Sequence, residues 1–164
     1  MEVSFDNVKN SDFEAIRDIY NYYVLNTTVT FHIKPVDIDE LKHQIYIDHP
    51  KYKSIVIRSD DVICGFAYVT QYKNREAYKN TAEIGIYLRP EYAGKGIGKG
   101  AVTFLEDKVR GCGIKVLLAI ISGDNSGSIN FFESLNYEKC AHFKRVGEKF
   151  GKRLDVVAYQ KELV

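Results

Sequence analysis

The stretch Thr81–Leu105, TAEIGIYLRPEYAGKGIGKGAVTFL, constrains this chain more than any other. A β-type run from Ala82 to Leu88 stops at Pro90, crosses the turn Gly94-Lys95-Gly96-Ile97-Gly98 and enters a helical pattern. Glycines packed this way let successive backbone N–H groups turn toward an anion with no Cβ in the way. The helix that follows aims its first unpaired N–H groups and its dipole at the same point. Strand, turn and helix start therefore read as a seat for a diphosphate. Glu83, an ionisable group among apolar or small neighbours, lies a short way back along the strand.

The rest of the chain has to accommodate that unit. At 164 residues it is expected to be one domain, residues 1–164, with a sizeable core. A formal net charge of +1 gives no field to recruit nucleic acid or an acidic membrane. Cys64, Cys112 and Cys140 are odd in number and show no metal-ligand spacing, and His32, His43, His49 and His142 fall in no partner pattern, so no metal is expected. The start MEVSFDNVKN has no basic segment followed by an apolar run, and no run is long enough to span a bilayer. A cytoplasmic protein is the expectation.

Taken in order, Val3–Val8 reads as a first strand, and Ser11-Asp12-Phe13-Glu14 as a capping box opening a helix to about Asn26. Asp37 and Glu40 make a second box, with Ile38, Leu41 and Ile45 facing inward on a helix that ends before Pro50. Ser54–Arg58 and Val62–Tyr72 form a hairpin, with Gly65 marking a bulge or a packing gap. After the glycine turn, Val102, Leu105 and Val109 line a helix stopped by Gly111-Cys112-Gly113. Lys115–Ile121 is a strand buried on both faces, and Ser128–Leu135 a short helix closed by Asn136 in a left-handed position. Tyr137–Lys144 and Arg153–Lys161 are strands joined by a polar loop holding Gly147 and Gly151. The order βααβββαβαββ predicts an α/β fold with one mixed, mostly antiparallel sheet flanked by helices.

Three segments resemble the GCN5-related N-acetyltransferase (GNAT) superfamily, and within it the phosphinothricin acetyltransferase-like branch. TAEIGIYLRPEYAGKGIGKG resembles the acetyl-CoA pyrophosphate motif Q/R-x-x-G-x-G/A. SGDNSGSINFFESLNYE (Ser122–Glu138) resembles the branch's strand-turn-helix after the fifth strand, and VGEKFGKRLDVVAYQKEL (Val146–Leu163) its closing hairpin. Ala93 stands where the superfamily has its opening Gln or Arg, and Phe132 where many relatives have a tyrosine that protonates the departing thiolate. Neither of those side-chain roles carries over.

The resemblance implies acetyl transfer from acetyl-CoA to a primary amine, with no metal. Glu83 matches the proposed general base; the other reading is a strand-end carboxylate paired with a Lys or Arg. The resemblance also implies a splayed strand whose backbone N–H near Ile84 to Ile86 donates to the thioester oxygen, a distortion with which Gly85 is compatible. The backbone of Ile86, Tyr87 and Leu88 would meet the cofactor there, and the turn residues Gly94, Lys95, Gly96, Ile97, Gly98 and Lys99 its diphosphate. Asn125 resembles a position that hydrogen-bonds the pantetheine region, though a helix N-cap explains it equally well. Phe132 would border the same site. Phe31, Lys73, Arg75 and Tyr78 match the walls of a pocket for a small anionic amine, an amino acid or an analogue of the phosphinothricin or methionine sulfone type. The branch also implies a homodimer, with the tail hairpin packing against the second subunit.

Other readings compete. Gly96-Ile97-Gly98-Lys99-Gly100-Ala101 satisfies a dinucleotide fingerprint, and Asp124 lies roughly the ~20 residues on that it requires, but an antiparallel hairpin suits a doubly wound sheet poorly. A protein N-terminal or lysine acetyltransferase, and a coenzyme A sensor without turnover, both keep the fold.

Overall fold

Seven strands form one sheet in the computed structural model, which describes residues 1–164. They are β1 (Val3–Asn7), β2 (Ser54–Ser59), β3 (Val62–Gln71), β4 (Thr81–Leu88), β5 (Val116–Ser122), β6 (Glu138–Lys149) and β7 (Lys152–Glu162), in spatial order β1-β2-β3-β4-β5-β7-β6. Every pairing is antiparallel except β4 with β5. The helices are α1 (Phe13–Asn26), α2 (Ile38–Leu41), α3 (Ile97–Arg110) and α4 (Ser126–Ser134), so the element order is the one the sequence predicts.

Alternation along the central strands feeds two separate cores. Phe13, Ile16, Tyr20 and Val24 of α1 pack with Leu41 on Val56, Phe66 and Tyr68. Ile97, Val102, Leu105 and Val109 of α3 and Phe132 of α4 pack on the other face, against Ile55, Ala67, Val69, Ile84 and Leu117. Each large apolar side chain buried this way contributes on the order of 1.5–3 kcal/mol. No helix is long and apolar enough to cross a membrane.

Four local expectations need correction. β5 is not buried on both faces, since Ile120 is exposed at the cleft. Ser11 does not cap α1. Asn10–Asp12 form a one-turn 3-10 helix, and the buried Asp12 carboxylate accepts from the Lys9 N–H at 2.8 Å and faces Arg58 at 3.4 Å. The second helix is a single turn: Asp37 does accept from the Glu40 N–H, at 2.9 Å, but the helix ends at Leu41. Beyond it, the His49 ring accepts from the N–H groups of Lys51 and Tyr52 and packs beside Tyr46 and Tyr52, which holds the chain in turns. In the tail, Gly147 belongs to β6. The register slips between Phe143 and Gly147 and recovers, and the strands close through Phe150 and Gly151, both at positive φ (53° and 70°) as a tight right-twisted hairpin requires.

Gly65 does mark a bulge. The register jumps from Ile57↔Gly65 to Arg58↔Ile63, leaving Cys64 as the extra residue. Asn136 takes the left-handed conformation, at φ 69°.

Candidate active site

The site arises where β4 and β5 part. They pair over only three positions, Thr81↔Val116 to Glu83↔Leu118, although β4 runs on to Leu88 and β5 to Ser122. The Arg89 N–H bonds the Cys64 carbonyl at 2.8 Å, which fixes the phase of the β3–β4 ladder. Glu83, Gly85 and Tyr87 therefore turn their peptide groups toward β3, and Ile84, Ile86 and Leu88 turn theirs toward β5. Past Ile84 the β5 partner is gone, so the peptide groups of Ile86 and Leu88 face an open cleft. The Tyr23 hydroxyl, reaching from α1, donates to the Leu88 carbonyl. Burial raises the pKa of this phenol, with Tyr22 and Glu91 adding to the effect, so it stays a donor.

The cleft has a volume of about 680 Å³ and continues from the splay to the glycine turn. Gly94 and Gly96 lie at φ 74° and 80°, where a β-carbon is strained, and an added Cβ at either would meet nothing within 4 Å. Gly96 caps α3 with no side chain to satisfy the first N–H groups, and no acidic residue stands in the first turn. Unpaired donors, left-handed glycines and open space together fit an anionic diphosphate.

Of the residues singled out from the sequence, Ile86, Tyr87, Leu88, Gly94, Gly96, Gly98, Lys99, Asn125 and Phe132 line this one cleft. Lys95 and Ile97 do not. Ile97 is buried in the α3 core, and Lys95 is exposed, its ammonium 5.8 Å from the Tyr92 ring centre. Asn125 is the N-cap of α4, its Oδ1 accepting from the Ser128 N–H at 3.1 Å, and it also lines the cleft. Phe132 is buried, edge-on to Phe131 and Tyr137.

Glu83 does not line the cleft but adjoins Ile84 and Gly85, which do. Its side chain alternates onto the α1 side of the sheet, the face carrying Tyr20, Tyr68 and Tyr87. Burial pushes its carboxyl above the ordinary Glu value of 4.5, and the positive charge of Lys73 works against that rise. It has no salt bridge, which disfavours the reading of a paired strand-end carboxylate.

The remaining sequence-derived residues lie outside the cleft lining. Tyr78 packs edge-on to Tyr72 at 5.4 Å, and the Lys73 ammonium lies 5.2 Å from the Tyr72 ring centre. Arg75 is exposed at the start of a one-turn 3-10 helix, Glu76–Tyr78. Phe31, partly exposed, stands on the loop after α1. Tyr23, Val29, Phe131 and Ser128 also line the cleft, and sequence reasoning missed them. Tyr23 follows Tyr20 by three positions on the apolar stripe of α1, a spacing that signals core rather than site.

Asp124, one residue before Asn125, is the junction of this end of the sheet. It accepts from Thr28 Oγ1 at 2.9 and 3.1 Å, Ser122 Oγ at 2.7 Å and Lys152 Nζ at 3.1 Å. Burial opposes its ionisation, but these hydrogen bonds and the Lys152 charge outweigh it and hold the carboxyl below its ordinary value. No three His, Cys, Asp or Glu side chains group as metal ligands would.

The chain is similar in sequence and fold to known acetyltransferases. An L-methionine sulfoximine/L-methionine sulfone acetyltransferase of Salmonella typhimurium is 32% identical over 154 residues, covering 93% of this chain and 90% of that protein. An L-amino acid N-acyltransferase of Escherichia coli is 30% identical over 159 residues, covering 94% of this chain and 91% of the relative. The structure of a phosphinothricin acetyltransferase from Sinorhizobium meliloti in complex with acetyl-CoA superimposes with a TM-score of 0.91 at 29% identity, over 99% of this chain and 89% of the other. The sequence profile of the acetyltransferase (GNAT) family matches residues 16–137. This chain belongs to the GNAT family of acetyltransferases.

Proposed function

We propose that this acetyltransferase, as a single domain, acetylates the primary amine of a small anionic acceptor, an amino acid or an analogue such as a sulfone, sulfoximine or phosphinate. The observation that carries the reading is the splay of β4 from β5, which opens beside a carboxylate free of any salt bridge. Relatives named for methionine sulfoximine, methionine sulfone and phosphinothricin support the acceptor class.

Acetyl-CoA supplies the thioester carbon that the amine attacks. The amides of Gly94, Gly96, Gly98 and Lys99 hold its diphosphate, with Lys95 and Ile97 shaping the turn. The peptide edge at Ile86 and Leu88 holds the pantetheine arm, flanked by Tyr87, Asn125 and Phe132. An amine is mostly protonated at neutral pH and cannot attack until it loses that proton. Glu83, with its raised pKa, accepts it, directly or through a water. The C–N bond then forms as the C–S bond breaks, the nitrogen sheds its second proton to solvent as the amide forms, and a backbone N–H between Ile84 and Ile86 donates to the carbonyl oxygen as charge develops there. Phe132 has no proton to give the thiolate, so solvent supplies it.

Lys73 and Arg75 pair with the acceptor's anionic group, Tyr78 hydrogen-bonds it, and Phe31 walls the pocket. The chain acts in the cytoplasm as a homodimer. Phe143, Val146 and Phe150, more than half exposed on the β6–β7 hairpin, give the apolar surface for the second subunit.

The test is free-thiol release from acetyl-CoA with a panel of amino acids, methionine sulfone, methionine sulfoximine, phosphinothricin, polyamines and an N-terminal peptide. Turnover is expected with at least one small anionic amine. Turnover with the peptide alone would move the acceptor to protein, and none at all would leave a coenzyme A sensor.

A further inference from the structure

The tip of the β6–β7 hairpin grips the loop that follows α1. Lys149 is 2% exposed, and its ammonium donates to the Thr30 carbonyl at 2.8 Å across 119 residues of sequence. No carboxylate pairs with it, and burial lowers its pKa. An ammonium held this way, with a carbonyl as its acceptor, is a costly tether that fixes one backbone group.

Two residues earlier on the same side of β6, Gly147 leaves the space filled by the Phe31 ring. A Cβ there would collide with that ring, with Cδ2 at 2.9 Å and Cζ at 3.1 Å. Val146, Glu148 and Phe150 alternate outward and are exposed. Lys152, across the turn, reaches Asp124, which also takes Thr28 Oγ1. Thr30 in turn bonds the Tyr20 hydroxyl at 2.6 Å, and Tyr20 packs edge-on to Tyr87. Three contacts from the hairpin thus hold Thr28, Thr30 and Phe31 in a single arrangement.

We propose that Gly147 and Lys149 are positioning residues for acceptor selectivity: they set where Phe31 stands over the amine and leave acetyl-CoA binding untouched. This rests on the reading of Phe31 as a wall of the acceptor pocket. Because Phe31 is 38% exposed, its ring can yield to a methyl group at position 147 without unfolding the chain. The Gly147→Ala change therefore moves the wall rather than breaking the fold.

The experiment measures kcat and KM for acetyl-CoA and for each amine of the panel in Gly147→Ala, Lys149→Met and Phe31→Ala, with thermal melts of all three. For Gly147→Ala and Lys149→Met, the expected result is an altered ranking of amines. Amine kcat/KM should fall by about ten- to a hundredfold for the best acceptor, the range a small misplacement of a positioning group produces. KM for acetyl-CoA should stay within about twofold of the parent, below the tenfold that each 1.4 kcal/mol of lost binding would give. An acceptor profile moved by Phe31→Ala but by neither hairpin variant would overturn the inference alone. A profile unmoved by Phe31→Ala, with turnover intact, would overturn the pocket-wall reading and the inference with it. Equal losses toward acetyl-CoA and amine would show a merely structural clasp and also overturn it.

Discussion

The phenol tip of Tyr68 occupies the place a side chain on Gly85 would need: its hydroxyl oxygen lies 2.6 Å, and Cζ 2.5 Å, from where a Cβ on Gly85 would stand. The two residues face each other in register on β3 and β4. Glu83 and Tyr87 flank Gly85 on the same face, so the Tyr68 hydroxyl stands in the row between them. Burial raises the pKa of Tyr68, with the charge of Glu83 among the smaller causes, and the phenol remains protonated. Gly85→Ala forces this ring to move and should cost about 1–3 kcal/mol by overpacking. Because Gly85 also lines the cleft, acetyl transfer should fall with stability. A melt and an assay on the same preparation check this.

Glu83→Gln should lower kcat by about 10²–10⁴ at neutral pH, the usual worth of a positioned general base. In the parent, rate should fall as pH drops through the raised pKa of Glu83, and the variant should lose that limb of the profile. Stability moves the opposite way. A carboxyl whose pKa is raised by folding stabilises the fold most below its ordinary value of 4.5, and that contribution is lost as pH rises through the folded value. The Gln variant should therefore melt higher than the parent at neutral pH, and the difference should close below the ordinary value. Melts across a pH series measure it.

Gly96→Ala tests the glycine turn. Space is not the obstacle, since nothing lies within 4 Å of the new methyl group, but φ is 80°. The left-handed strain is about 1–2 kcal/mol, and relieving it would rotate the first N–H groups of α3 away from the cleft. KM for acetyl-CoA should rise while KM for the amine stays near the parent value. Steady-state kinetics with each substrate varied in turn separates the two.

Tyr23→Phe removes the donor to the Leu88 carbonyl and leaves a part-buried acceptor unpaired, at a cost of about 1–3 kcal/mol. The β5-facing edge of β4 should loosen, with faster amide exchange at Ile86 and Leu88 and weaker acetyl-CoA binding. Hydrogen exchange and titration calorimetry measure the two effects.

The glycine turn, the order of elements and the separate apolar stripes of α1 and α3 were legible because each is local: spacing of three to four residues, alternation, and glycine where a Cβ is strained. The splay was legible only through the family resemblance, since nothing in Glu83–Leu88 or Leu118–Ser122 by itself states that pairing stops at Leu118. Tyr23 and Val29 were hidden. An apolar or aromatic side chain reads alike whether it meets core or cleft. Lys149 reads as one more charge in a polar loop; only the fold shows it buried against Thr30. The second helix reads longer than it is because Ile45 keeps helical spacing after the helix has ended, being buried from a turn instead.

The most direct measurement of the central claim is a crystal structure with acetyl-CoA bound. The expected result places the diphosphate within hydrogen-bonding distance of the amides between Gly94 and Lys99, with the pantetheine along Ile86 and Leu88 and the thioester beside Glu83. A diphosphate seated away from that turn, or an acyl group remote from Glu83, would contradict the account.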